Sequence, residues 1–135
     1  MESIAKWHLK EQPIPKGFVI FEDRLDVTGI VYRKKDAAAF VNSNNIWLEL
    51  EREENNKYDS NAIKIIGCSK GFLGTKRRFI GYVPKEVAAT IVEKGFWGRV
   101  MARLLKTYLS ENGFVAVMFQ VLGPKGEKQE YQKHN

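Results

Sequence analysis

Apolar and polar residues alternate over several short stretches of this chain, and one stretch carries a clear helical spacing. In "NIWLELER" (45–52), Ile46, Leu48 and Leu50 alternate with Trp47, Glu49 and Glu51, the period-2 pattern of a half-buried strand. "FVIF" (18–21), "AIKIIG" (62–67), "RFIGYV" (78–83) and "FVAVMFQVL" (114–122) read as further strands. "LDVTGIVYR" (25–33) reads as another, with Leu25, Val27, Gly29 and Val31 on one face and Thr28, Ile30 and Tyr32 on the other. "FWGRVMARLLKTYL" (96–109) fits both periods: Arg99, Arg103 and Lys106 have helical spacing, while Val100, Ala102 and Leu104 alternate. The strand is preferred because "SENG" (110–113) follows as a turn ending in Asn-Gly.

The helical stretch is "PKEVAATIVEKG" (84–95). Pro84 suits a first turn, Glu86 complements the N-terminal dipole, and Gly95 supplies a left-handed stop. Alanine-rich "KKDAAAFVNSN" (34–44) predicts a second, shorter helix. "GCSKGFLGTK" (67–76), with three glycines, reads as a loop or wide hairpin turn. A polar lead over 1–17 reads as an extended arm or partly ordered edge, and polar residues 123–135 as a frayed tail. About six strands, two short helices and no βαβ rhythm predict a mainly β protein, a small OB-like β-barrel. The expected domain covers 25–122, after an N-terminal arm and first strand over 1–24. Side chains fill a barrel of this size, so a ligand would sit outside it or at its rim.

Composition narrows the function classes. At 135 residues the chain has the size of one domain with one core. Cys68 is the only cysteine, which rules out an intrachain disulfide and fits a reducing, cytoplasmic setting. His8 and His134 lie near opposite ends, so a Cys/His zinc site is not expected and no metal or cofactor is assigned. No apolar run reaches the roughly 18–20 residues that span a bilayer, and "MESIAKWHLKEQPIPKG" lacks the apolar stretch of a signal peptide. No membrane partner is expected.

The net charge of +6 and pI near 9.4 favour polyanionic partners. Acids gather in "ELEREE" (49–54); bases gather at Arg33–Lys35, Lys76–Arg78, Lys94–Lys106 and the tail. Catalytic sets are sparse. There is no Walker-type phosphate loop and no Ser-His-Asp arrangement with histidines confined to the two ends. The carboxylates Glu51, Glu53 and Glu54 are nearly consecutive on a strand that looks solvated on one face, unlike the convergent acids of a two-metal nuclease. A binding protein is expected, not an enzyme.

Aromatics make up 12% of the chain, and several stand beside basic or amide residues: Tyr32-Arg33, Lys57-Tyr58-Asp59, Tyr82 before Pro84-Lys85, and Phe96-Trp97 before Arg99. Rings of this kind stack on bases of single-stranded nucleic acid while Lys and Arg hold phosphates. Phe18, Phe21, Phe40 and Phe119 are assigned to the core. Tyr32, Tyr58 and Tyr82, at strand ends or in a polar loop, are candidate ligand contacts. Asp59 and Asn61 also suit an Asx turn that starts the next strand.

The series "VTGIVYR", "LELEREENNKYDSNAIKI" and "RFIGYVPKEVAATIVEKG" resembles the HIRAN domain over roughly 25–122. Its most specific pieces are N-N-x-Y-D-x-N-A-I and I-G-Y-V-P-K-E. The family occurs in SWI/SNF-type DNA-dependent ATPases that remodel stalled forks, and alone or beside nuclease and helicase modules in bacteria and phages. The resemblance implies a modified OB-type barrel whose pocket captures the 3′-hydroxyl end of single-stranded DNA, in replication, repair or defence. It implies that Tyr32 stacks on the terminal base, and that Asn56 and Tyr58 share the matching loop. By the same resemblance Asp59 receives the terminal hydroxyl, Lys85 holds a phosphate, and Phe114 is a second stacking ring. Val31 stands where a basic residue is expected just before Tyr32, with Arg33 following on the face opposite Tyr32, and Tyr82 stands where eukaryotic members carry histidine. The partners implied are single-stranded DNA and a helicase, ATPase or nuclease. A protein-interaction adaptor on the same barrel, facing a partner with the tyrosine loop and the "ELEREE" strand, is the alternative, and a metal-dependent nuclease accessory is the lesser one.

Overall fold

The structure, a computed structural model, describes residues 7–133; the first six residues of the expected arm, and His134 and Asn135, lie outside them. Among the described residues seven strands form two antiparallel sheets. The first sheet runs β1 (Trp7–Leu9), β6 (Met101–Leu109), β7 (Val115–Pro124), β2 (Phe18–Asp26). The second runs β3 (Ile46–Arg52), β4 (Ile63–Gly71), β5 (Gly74–Tyr82). The mainly β expectation holds, and the strands form two sheets with no single closed ladder among the described residues. They meet at an isolated bridge between Thr28 and Tyr82. There Gly81 is obligatory, because a β-carbon would collide with the Thr28 carbonyl oxygen and the Val27 side chain.

Alternation places the core as expected in β3, where Ile46 and Leu48 are buried and Glu51 is exposed. Phe21, Phe40 and Phe119 are buried with Ile63, Ile65, Ile80, Leu104 and Val121. Helix α1 (Lys34–Val41) sets Phe40 on β4 at Gly67, where a β-carbon would lie 2.7 Å from the ring. Helix α2 (Lys85–Glu93) follows Pro84, buries Ala88 and Ile91, and ends before Gly95 at φ 78°. The strand preferred within 96–109 is present, beginning at Met101.

Three expectations are corrected. The strand expected over 25–33 stops at Asp26; Gly29 takes φ 78° and Ile30–Tyr32 form a 3-10 turn. A left-handed glycine ends extended backbone, so Ile30 is buried while Val31 faces solvent, the reverse of the alternation. The loop or wide hairpin turn expected over 67–76 is a hairpin, but a tight one, laddered up to its tip. Gly71 pairs with Gly74, leaving a two-residue turn, Phe72-Leu73.

The tail expected to fray is docked. Residues Lys128–Gln132 form α3, and Tyr131 lies against Phe21 and Phe96 with ring centroids 4.7 and 5.6 Å away. Its hydroxyl donates to Glu22 Oε2 at 2.6 Å. Burial and the Glu22 carboxylate push the Tyr131 phenol well above its usual range. The first strand expected at 18–21 is present and longer: Phe18–Asp26 form β2, which pairs with β7 along that length.

Candidate nucleic-acid interface

Three segments meet at one corner: the Thr28–Arg33 turn, the 53–62 loop between β3 and β4, and the junction of β5 with α2. The loop is closed at its base by backbone hydrogen bonds from Glu53 to Ala62 (3.0 Å) and from Val83 to Ile63 (3.0 Å). Within it, Asn56 Oδ1 accepts from the Tyr58 and Asp59 amides at 2.8 and 3.0 Å. Asp59 Oδ1 accepts from the Asn61 amide at 2.9 Å. The Asx geometry expected of Asp59 is present, and it fixes the side chains around it.

A cleft of about 520 Å³ opens between these segments, lined by Thr28, Tyr32, Arg33, Asn56, Tyr58, Asp59, Ala62, Tyr82, Val83 and Lys85. Seven of the eight sequence candidates therefore converge in one place. Tyr32 and Tyr58 are 84% and 93% exposed, two free rings at the rim. Arg33 lies over the Phe79 ring at 3.8 Å, and neither Arg33 nor Lys85 forms an ion pair among the described residues. Lys85 opens α2, whose N-terminal amides favour negative charge. Asp59 Oδ2 has no hydrogen-bond partner among the described residues. The cleft thus combines stacking surface, two unneutralised cations and a carboxylate oxygen ready to accept.

Tyr82 lines the cleft in a different role. Its hydroxyl donates to Glu53 Oε1 at 2.7 Å, so it braces the wall rather than presenting a donor. Burial first, and then the Glu53 bond, raise the Tyr82 phenol above its usual range. Glu53 also accepts from Asn56 Nδ2 at 2.7 Å and lies 3.4 Å from Lys64 Nζ. The Tyr82 and Asn56 hydrogen bonds hold its carboxyl below the ordinary carboxylate range. Sequence placed Glu53 among solvated acids and missed this bracing role; the one available signal was its position where alternation gives way to amide residues.

Phe114 does not line the cleft. It follows the β6–β7 turn, 57% exposed, its ring edge-on to Tyr108 at 5.7 Å. Tyr108 in turn meets Trp7 at 5.3 Å, with Lys106 Nζ 4.8 Å from the Trp7 ring. The acids of "ELEREE" are partly neutralised: Arg77 pairs with Glu49 and Glu51, and Lys64 with Glu51 and Glu53. Cys68 is buried behind them, and that burial pushes its thiol up to about 11, far from a reactive thiolate. No helix is long and apolar enough to cross a membrane among the described residues.

Comparison with solved structures finds the NMR structure of the HLTF HIRAN domain, 23% identical, with 86% of this chain and 87% of that one covered and a TM-score of 0.51. The crystal structure of the HIRAN domain of human HLTF is 21% identical over 87% and 89% of the two chains, at a TM-score of 0.47. The NMR structure of that domain in its DNA-bound conformation is 24% identical over 84% of each, also at 0.47. No curated protein matches the sequence. The sequence profile of the HIRAN domain matches residues 21–94, more than half of the chain and the whole of the cleft, and the protein belongs to the HIRAN domain family.

Proposed function

We propose that this protein binds single-stranded DNA in the Tyr32–Tyr58 cleft and prefers strands that end in a 3′-hydroxyl. One observation carries the reading. Asp59, with an open carboxylate oxygen, sits in the same cleft as the unpaired cations Arg33 and Lys85 and the exposed rings of Tyr32 and Tyr58. A terminal hydroxyl donates a hydrogen bond to an ionised carboxylate, whereas an internal or terminal phosphate there meets like charge. Arg33 and Lys85 then hold the phosphates that follow, and the rings stack on bases, each worth about 1–3 kcal/mol. Family membership is in keeping with this reading, since the HLTF HIRAN domain has been solved in a DNA-bound conformation.

The role is capture and orientation of a strand end without bond cleavage, in replication, repair or defence, for a helicase, ATPase or nuclease partner. Fluorescence anisotropy with one short oligonucleotide, ending in either a 3′-hydroxyl or a 3′-phosphate, tests it. Tighter binding of the hydroxyl end, weakening steeply with added salt, is expected. Equal affinity for the two ends removes end-reading, and no binding at low salt removes the DNA ligand.

A further inference from the structure

The β4–β5 hairpin has a tip that its local chemistry does not explain. Two-residue hairpin turns favour Asn, Asp and Gly, yet here the turn is Phe72-Leu73, exposed to 100% and 96%. Every residue from Lys70 to Arg77 is exposed, so the ribbon stands clear of the core on both faces. Gly71 and Gly74 bracket the tip, the latter at φ 116°. Two adjacent large apolar side chains held in water at the end of a paired ribbon favour a contact surface.

The cations beside this tip divide by face. Register pairs Ser69 with Lys76 and Gly67 with Arg78, so Lys76 and Arg78 share the face that packs Phe40 of α1 on Gly67. Arg77, tied to Glu49 and Glu51, occupies the other face with Lys70. Lys70, Lys76 and Arg78 form no ion pair among the described residues, and neither do Lys34 and Lys35, which begin α1 immediately after Arg33 of the cleft. Unneutralised cations thus mark a path along α1 and β5 from cleft to tip. The strands are nine residues long, so the path is about 30 Å at 3.3 Å per residue. Cations strung along a line suit a polyanionic rod better than a flat surface.

We propose that this hairpin is a second nucleic-acid contact, an arm whose Phe72 and Leu73 press against a base step of duplex DNA adjoining the captured strand. β-Ribbon proteins use strands in either groove of duplex DNA, and apolar wedges such as Phe and Leu, inserted from the minor groove, open base steps in proteins that bend it. Lys70, Lys76 and Arg78 hold phosphates beside the tip. The proposal rests on the cleft reading and extends it from a strand end to a junction between single and double strand.

Anisotropy with the full chain separates the two. One probe is a bare strand of about 4 nucleotides, the smallest site size of single-strand-binding OB folds; the other is a duplex carrying that strand as a 3′ overhang. The tailed duplex is expected to bind about tenfold tighter or more, the scale of one stacking contact. The double variant Phe72→Ser, Leu73→Ser is expected to lose that gain, keep its affinity for the bare strand, and melt like the parent. Equal affinity of the parent for both probes, or an unchanged gain in the double variant, overturns the arm and leaves the cleft reading intact. Binding of the tailed duplex without the bare strand overturns the cleft reading instead, and binding of neither overturns both. Capture by anionic phospholipid vesicles that depends on Phe72 and Leu73, with no duplex gain, reassigns the tip to a lipid surface. A pull-down that recovers a nuclease-resistant protein partner, lost in the double variant and without duplex gain, reassigns it to protein.

Discussion

The Tyr82 hydroxyl and the Asn56 side-chain amide both donate to one oxygen of Glu53, each at 2.7 Å. Two segments of the cleft wall, the 53–62 loop and the end of β5, are thereby pinned at a single atom. Tyr82→Phe removes one donor and leaves the ring against Phe79. The expected loss is about 1 kcal/mol, below the usual range for a bond to a charged group because Glu53 keeps some water. Urea denaturation of the parent and the variant measures it.

The depressed carboxyls of Glu53 and Glu49 make stability fall in acid. Glu53 is held down by Tyr82 and then Asn56, and Glu49 by hydrogen bonds from Trp47 and Arg77. A group whose folded pKa lies below its unfolded value stabilises above the unfolded value, about 4.3 for Glu, and loses that contribution as pH falls through the folded value. Glu53→Gln is expected to flatten the acid limb of a stability–pH curve. An unchanged acid limb would mean that Glu53 is not depressed.

Asp59→Asn keeps an oxygen for the Asn61 amide but removes the charge. It is expected to bring the affinities for 3′-hydroxyl and 3′-phosphate ends together, with little effect on fold. Competition anisotropy reads the ratio directly, and a ratio still equal to that of the parent rejects Asp59 as the end-reader.

Tyr32→Ala is expected to weaken every oligonucleotide by about 1–3 kcal/mol while leaving thermal stability unchanged, since the ring is already in solvent. Lys85→Ala is expected to act differently. It should lower the slope of log affinity against log salt by about 0.7, the single-strand value for one phosphate.

Tyr131→Ala opens a cavity between Phe21 and Phe96 and frees α3. The expected cost is about 3 kcal/mol, as for other buried aromatic truncations, seen as a lower midpoint in urea. A truncation before Lys128 should cost a similar amount, whereas a frayed tail would cost nothing.

Much of the fold was legible because alternation is a local signal. Ile46, Leu48 and Leu50 announce the inner face of β3 without any knowledge of its partner, and Pro84 and Gly95 bracket α2 by backbone preference alone. Legibility failed where a neighbour overrides local preference. Gly67 suggests a loop until Phe40 is seen packed on it, and a polar tail suggests fraying until Tyr131 finds Phe21, Phe96 and Glu22.

The candidate site divides in the same way. Residue types and spacing, with the family resemblance, were enough to nominate Tyr32, Arg33, Asn56, Tyr58, Asp59, Tyr82 and Lys85. Only the tertiary structure decided that they share a cleft, since the Thr28–Tyr82 bridge brings together segments 54 residues apart. It also decided their separate duties: Tyr82 turned inward to Glu53, Tyr32 and Tyr58 left in solvent, and Phe114 assigned to a different aromatic group. The physical reason is that a side chain's availability depends on which donors and acceptors surround it, and those come from distant parts of the chain.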